Sequence, residues 1–262
     1  MRGLAGKVAL LSGGANSIGA ATARAFHAAG TRVGIADIDE AAGTALAGEL
    51  GEGALFYRID ITRDAEIEAC VAAAIAAFGR IDFLVNLAAI FLDKGLQSSR
   101  EEWLQALNVN LVSGALLLRA ALPQLKQRGG AVVNLSSIAG KHGQRGRALY
   151  PASKAAILQL TRNEAMELAP YKIRVNAVSP GWTWSRAIAT PTRGDRAKAD
   201  RIAAEYHPLG RVADAEEVAA AILFLCSDEG SFITGVDLPV DGGYAMTGPD
   251  QGIPRMMRLA ED

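Results

Sequence analysis

Val8-Ala9-Leu10-Leu11-Ser12-Gly13-Gly14-Ala15-Asn16-Ser17-Ile18-Gly19 is the stretch on which the fold turns. Four apolar residues in a row read as a strand buried on both faces. The Gly-rich turn after them runs straight into Ala20 to Phe26, an Ala-rich helical pattern. Strand, glycine turn and helix start together make an anion site. Unpaired N–H groups at the helix N-terminus face a pyrophosphate, and small residues let the backbone approach it. Gly14 and Gly19 also have the glycine spacing of a P-loop. Ala20-Ala21, however, stand where a phosphate-binding Lys and a Mg²⁺-binding hydroxyl are needed, which disfavours NTP hydrolysis. A tight βα turn without a ligand is the other reading of these residues.

Outward from this unit, short apolar runs alternate with longer helical stretches almost to the end of the chain. Strands are expected at Val8–Leu11, Arg32–Ala36, Ala54–Tyr57, Asp82–Val85, Ala131–Leu135, Ile173–Val178 and Ile233–Pro239. Helices are expected at 18–29, 40–50, 64–78, 101–127, 150–168 and 215–225, with Gly30, Gly51 and Gly79 as stop signals. The alternation predicts an α/β fold, a doubly wound parallel sheet of about seven strands in a single domain over residues 1–262. Trp182 to Arg211, rich in Arg and lacking core periodicity, is expected to be a mobile flap over the site.

The 27 Lys+Arg against 28 Asp+Glu leave a net charge of -1, which argues against a nucleic-acid binder. Half the residues are hydrophobic, enough for a sizeable core. Cys70 and Cys226 form no disulfide framework or metal-ligand spacing and fit a reducing compartment, so a cytoplasmic protein without membrane span or signal peptide is expected. His27, His142 and His207 form no HExxH, and no metal is expected.

The second strand ends at Asp37, eighteen residues beyond Gly19, close to the spacing at which a carboxylate meets the adenosine ribose. It would accept from two hydroxyls and repel a 2′-phosphate. Neither Asn16 nor Ile38 is cationic, so NAD is expected rather than NADP; the alternative is that Asp37 merely starts the next helix. Further on, Ser137 precedes Tyr150 by thirteen residues, and Tyr150 and Lys154 share one helix face at i and i+4. A tyrosine of ordinary pKa, about 10, needs a nearby cation to carry protons near neutrality. Lys154 is that cation, although an isolated pair of this kind also reads as a surface contact.

Several motifs in order make the chain resemble the short-chain dehydrogenase/reductase family from Gly6 to Tyr244. They are the glycine turn with Ile18-Gly19, Asp60-Ile61, Asn86, Asn108-Val109-Asn110, Ser137, Tyr150-x-x-x-Lys154, Asn176 to Gly181 and Val240-Asp241-Gly242-Gly243. The resemblance implies a Rossmann-like subunit binding NAD through Gly13, Asn16, Ser17, Ile18, Gly19, Asp37, Asp60, Ile61, Asn86, Ala88, Tyr150, Lys154, Pro180 and Thr183. It implies a catalytic tetrad of Asn110, Ser137, Tyr150 and Lys154, in which Tyr150 is the acid/base and Ser137 donates to the substrate oxygen. Lys154 would hold the nicotinamide ribose and lower the Tyr150 pKa, and Asn110 would support a water leading to solvent. The expected reaction is hydride transfer between NAD(H) and a secondary alcohol or ketone. Alternatives are an enoyl-type reductase, whose Tyr and Lys are spaced more widely, and a non-catalytic NAD sensor. A homotetramer is implied, with the C-terminal stretch 247–262 crossing to a neighbour.

Three positions depart from the family pattern: Ser17 replaces a glycine, Asn86-Leu87-Ala88-Ala89 replaces Asn-Asn-Ala-Gly, and Ser185 replaces a threonine. Ser17 is expected to cap the first helix or touch phosphate. On the substrate side, Lys141, His142, Arg145 and Arg147 together with Arg186, Arg193, Arg196, Lys198 and Arg201 read either as a solvated face or as a pocket for an anionic or hydroxylated substrate. Trp182 is expected to form an apolar wall of that pocket.

Overall fold

The computed structural model describes residues 1–248; the expected C-terminal crossover therefore falls almost wholly outside the described residues. Seven strands, β1 (Val8–Ser12), β2 (Arg32–Asp37), β3 (Ala54–Arg58), β4 (Phe83–Asn86), β5 (Gly130–Leu135), β6 (Ile173–Pro180) and β7 (Asp237–Val240), form one parallel sheet in the order β3-β2-β1-β4-β5-β6-β7. β1, at the point where strand order reverses, is buried along its whole length. One face packs a core including Leu11, Phe26, Val33, Val133 and Ile222, and the other includes Leu10, Ile67, Leu84, Leu117 and Val175. The sheet thus has helices on both faces, as the near-continuous apolar strands require.

The helices are α1 (Ser17–Ala28), α2 (Glu40–Leu50), α3 (Asp64–Phe78), α4 (Arg100–Leu107), α5 (Ser113–Arg128), α6 (Leu149–Leu168), α7 (Arg186–Thr192), α8 (Arg196–Ala203) and α9 (Ala215–Cys226). Local chemistry sets their ends. Asp39 caps α2 by accepting from Ala42 N at 3.0 Å, capping boxes open α4 and α9, and Gly79 closes α3 with φ +76°.

Several boundaries differ from the sequence reading for identifiable reasons. The fourth strand starts one residue later, because the buried Asp82 carboxylate turns aside to accept from Val8 N (3.0 Å) and pair with Lys7 and Arg80. The seventh strand shortens to Asp237–Val240, since Gly235 at φ +75° bends the chain before it. The single helix expected at 101–127 is two helices joined by one π-turn, Asn108–Val112, a local irregularity that concentrates at functional sites. By length and composition, Arg100–Arg128 is also long and apolar enough to cross a membrane, contrary to expectation. Within this fold it seats Leu117, Leu118, Ala121 and Leu125 in the core.

The segment expected to lack core character folds into α7 and α8 with a small core of its own. Ala199, Ala203 and Val212 are buried there against Trp182, Trp184 and Ile188. Alanines four apart supply this core, a pattern too weakly apolar to stand out among the Arg and Lys residues.

Candidate active site

A continuous cleft of about 600 Å³ opens at the carboxyl ends of the strands, where open α/β sheets bind ligands. Gly13, Asn16, Ser17, Ile18, Gly19, Asp37, Asp60, Ile61, Ala88, Ser137, Tyr150, Lys154, Pro180 and Thr183 all line it. Asn86 and Asn110 do not; both lie behind it.

At one end the glycine turn is shaped for close backbone packing. A Cβ on Gly13 would lie 2.6 Å from Ala88 N, and one on Gly19 would collide with the Gly13 carbonyl. The expectation that Ser17 caps α1 is not met. Asn16 occupies the N-cap with no side-chain cap bond, and Ser17 sits inside the helix start at φ +49°, the left-handed region that a glycine adopts freely. The first turn of α1 thus lacks both a side-chain cap and acidic residues and presents its N–H groups to the cleft. Asp37 accepts from Ala15 N (3.0 Å) and Asp39 N (3.1 Å), so the same carboxylate pins the glycine turn. The Asp60 carboxylate takes both the hydroxyl (2.6 Å) and the N–H (3.0 Å) of Thr62, which hold it below the usual carboxylate range against the effect of burial. Open turn, uncapped helix and a carboxylate at the end of β2 lining the same cleft fit a dinucleotide.

At the other end Tyr150 and Lys154 are one turn apart on α6, with 8% and 1% of their surface exposed. Lys154 Nζ donates to Leu135 O at 2.7 Å and lies 5.7 Å from the centre of the Tyr150 ring. Burial pushes the ammonium down to about 7 and the phenol up to about 12. The groups that pull the phenol back down are the Ser137 hydroxyl and the Arg147 charge. Lys154, expected to lower the phenol, is not among the groups that do so in this structure; its ammonium is engaged by the Leu135 carbonyl instead. Ser137 Oγ accepts from Ala139 N at 3.1 Å, which leaves its own hydrogen free to donate into the cleft.

Asn110 lies at the centre of the π-turn with its amide engaged on three sides. Its Oδ1 accepts from Ile90 N (2.8 Å), and its Nδ2 donates to Ile90 O (3.1 Å) and Ser153 Oγ (3.1 Å). Ser153 in turn donates to Tyr150 O at 2.8 Å. Asn86, expected at the cofactor, instead turns inward and donates to Asn134 Oδ1 at 2.8 Å, leaving its own Oδ1 buried without a protein partner. A second cavity of about 20 Å³, the size of one water, is lined by Asn86, Asn110 and Leu135 and lies next to the carbonyl that holds Lys154.

Two site residues escaped the sequence reading. Asp93, on a loop far from α6 in sequence, accepts from Gly95 N (2.8 Å), Ala148 N (3.0 Å) and Tyr150 N (2.9 Å). Ala148, the N-cap of α6, has no side-chain cap of its own, so Asp93 caps the helix from outside. Burial alone would raise the Asp93 carboxyl, but the N–H groups of Tyr150, Ala148, Gly95 and Leu149 outweigh it and hold it low. Phe91 stacks on Tyr150 with ring centres 4.7 Å apart while remaining 60% exposed, and walls the cleft with Trp182 and Ile188. A phenylalanine in the loop after the fourth strand, four residues beyond Leu87, was the available signal. Of the basic side chains among the described residues, only Arg147 and Arg186 reach the cleft beside Lys154. Lys141 pairs with Asp237 (2.7 Å), Arg196 with Asp214 (2.7 Å) and Asp200, and the half-buried His142 packs on Tyr244.

A family model described as enoyl-(acyl carrier protein) reductase matches residues 13–245. Trans-4-hydroxycyclohexanecarboxylate dehydrogenase of Sinomonas cyclohexanicum is 41% identical over 251 residues, covering 92% of this chain and 93% of that protein. 2,5-Dichloro-2,5-cyclohexadiene-1,4-diol dehydrogenase LinX of Sphingobium indicum is 37% identical, covering 93% and 98%. Among solved structures, 3-ketoacyl-(acyl-carrier-protein) reductase of Brucella melitensis complexed with NADH superposes with a TM-score of 0.85 at 34% identity, over 92% of this chain and 99% of that one.

Proposed function

The chain belongs to the short-chain dehydrogenase/reductase family, and from that premise we propose that it is an NAD(H)-dependent dehydrogenase of ring-borne secondary alcohols with Tyr150 as its proton carrier. The single observation that carries this reading is the convergence of Ser137, Tyr150 and Lys154 on the end of the cleft opposite Asp37. The two dehydrogenase relatives, each named for a ring-borne alcohol, support the substrate class.

In this reading the α1 N-terminus and the glycine turn hold the pyrophosphate, Asp37 the adenosine ribose, and Lys154 the nicotinamide ribose. Bound NAD supplies the hydride acceptor for the alcohol carbon. Ser137 Oγ donates to the substrate oxygen and orients it toward Tyr150. Tyr150 Oη, ionised, takes the hydroxyl proton, and in ketone reduction returns it. Arg147 favours the ionised form, while Lys154 passes the proton on toward the water-sized cavity beside Leu135. Asn110 is a positioning residue: through Ser153 it braces the backbone of Tyr150, and through Ile90 the wall of the cleft. Trp182 to Arg211, with its own small core, acts as a lid that excludes water as it closes.

The protein works as a homo-oligomer, most simply a tetramer, through the exposed faces of α4 to α6, where Leu104, Val112 and Met166 present apolar surface. Cytoplasm is its compartment, consistent with Cys70 and Cys226, both buried free thiols that burial raises to about 12.

The test is formation of NADH, followed at 340 nm, from a panel of ring alcohols, with an enoyl thioester and NADH as the competing reaction. Tyr150→Phe should abolish alcohol oxidation and leave NADH binding intact. Turnover of the enoyl thioester alone, or retention of more than a few per cent of kcat by the Phe variant, refutes the assignment. Light scattering checks the assembly, a 27.4 kDa particle at micromolar concentration being the refuting result.

A further inference from the structure

The substrate end of the cleft has a one-sided charge. Arg147, on the loop entering α6, and Arg186, the first residue of α7, line it together with Lys154, whereas among the described residues the only carboxylates in the lining, Asp37 and Asp60, belong to the nucleotide end. Among the described residues, neither guanidinium makes an ion pair or a side-chain hydrogen bond, although neighbouring cations of the same segments are neutralised by Asp237, Asp200 and Asp214. Arg145, Arg193, Lys198 and Arg201 are also unpaired there, but none lines the cleft. Arg147 further lies close enough to Tyr150 for its charge to favour the phenolate. The unpaired arginines of the lining thus include one beside the reacting Tyr150.

An exposed arginine without a partner is ordinarily a solvated surface charge. Two of them beside apolar walls, with no acid within the same end, make a different environment. A guanidinium presents a planar fork that matches a carboxylate, and the attraction strengthens as a bound ring displaces water from Phe91 and Trp182. We propose that Arg147 and Arg186 select the substrate by an anionic group, so that the preferred alcohol is a ring carrying a carboxylate away from the reacting carbon. This rests on the dehydrogenase reading above. Gln144 and Ser185, which line the same end, complete the polar contacts to the carboxylate.

The experiment compares kcat/KM for 4-hydroxycyclohexanecarboxylate and its carboxamide, which differ in charge but little in shape. The carboxylate is expected to be preferred at least tenfold at low ionic strength, with the preference shrinking as salt rises. Arg147→Gln and Arg186→Gln should each lower the preference about tenfold, or about 1.4 kcal/mol. Arg147→Lys should restore part of it, and Arg145→Gln should leave it unchanged. Taking the ratio cancels any general effect of Arg147 on Tyr150. Equal use of both compounds by the unaltered enzyme, or a ratio insensitive to both Gln variants, overturns the inference while leaving the dehydrogenase assignment standing. A ratio unchanged in Arg186→Gln with weakened NADH binding by fluorescence assigns that residue to the pyrophosphate and overturns its role here. Oxidation of neither compound, nor of any other ring alcohol, overturns the dehydrogenase reading and the inference with it.

Discussion

Replacing Asp93 with Asn perturbs the start of the catalytic helix without altering the chemistry of any group that would touch substrate. The carboxylate serves three backbone donors: Oδ1 accepts from Gly95 N at 2.8 Å and Ala148 N at 3.0 Å, and Oδ2 from Tyr150 N at 2.9 Å. In the variant the amide oxygen keeps the first two, and the amide N–H₂ then faces the Tyr150 N–H donor to donor. One hydrogen bond to a charged acceptor, worth about 1.5–3 kcal/mol, is lost, and the negative charge at the N-terminus of α6 goes with it. At roughly 2–4 °C per kcal/mol for a chain of this size, the melting temperature should fall by about 5–10 °C. Tyr150 is the second residue of α6, so a loosened first turn displaces its hydroxyl. A misplacement of about 1 Å costs on the order of 10²-fold in rate. The assay pairs thermal unfolding with kcat at 340 nm and NADH binding, which should be nearly unchanged because the glycine turn lies elsewhere. Because the native carboxyl sits below its unfolded value, the stability it contributes is present above about pH 3.9 and is lost as pH falls through the native value. The Asn variant should lack that acid loss. A kcat within threefold of the parent and an unchanged melting temperature would refute the external cap.

Asp37→Asn, which removes the charge but keeps an acceptor for the glycine turn, should cut the preference for NAD over NADP at least tenfold in kcat/KM; an unchanged ratio places the discrimination elsewhere. Ser17→Gly relieves a left-handed backbone at φ +49° and should give a net gain of about 0.5 kcal/mol with tighter NADH binding, and a lower melting temperature would contradict the strain. Glu164 is raised to about 7 by burial, so its protonated form contributes stability that is fully present below about pH 4.5 and disappears as pH rises through about 7. Glu164→Gln keeps an acceptor for Asn134 and should be the more stable protein at pH 8 but not at pH 5; parallel melting profiles across that range would dispose of the buried charge.

What the sequence settled by itself was the order of elements and the two ends of the cleft. Apolar runs of four to six residues alternating with longer helical stretches read as buried parallel strands, and a glycine turn between a strand and a helix commits the backbone locally, so Gly13 to Gly19 and Asp37 were legible from neighbours alone. Tyr150 and Lys154 were legible because a helix fixes which face they share. Tertiary structure decided whatever depends on contacts between distant segments. Asp93 became the cap of α6 only because two loops meet more than fifty residues apart, and the Asn86 amide turned away from the cleft because Asn134, on the adjacent strand β5, offered it a partner. The sign of the Tyr150 shift likewise lay outside the sequence. An i, i+4 lysine predicts a lowered phenol, but the burial of Tyr150 by segments distant in sequence outweighs the groups that lower it. Which arginines face the cleft was hidden for the same reason: composition counts charges, whereas only packing shows which of them lie beside an acid.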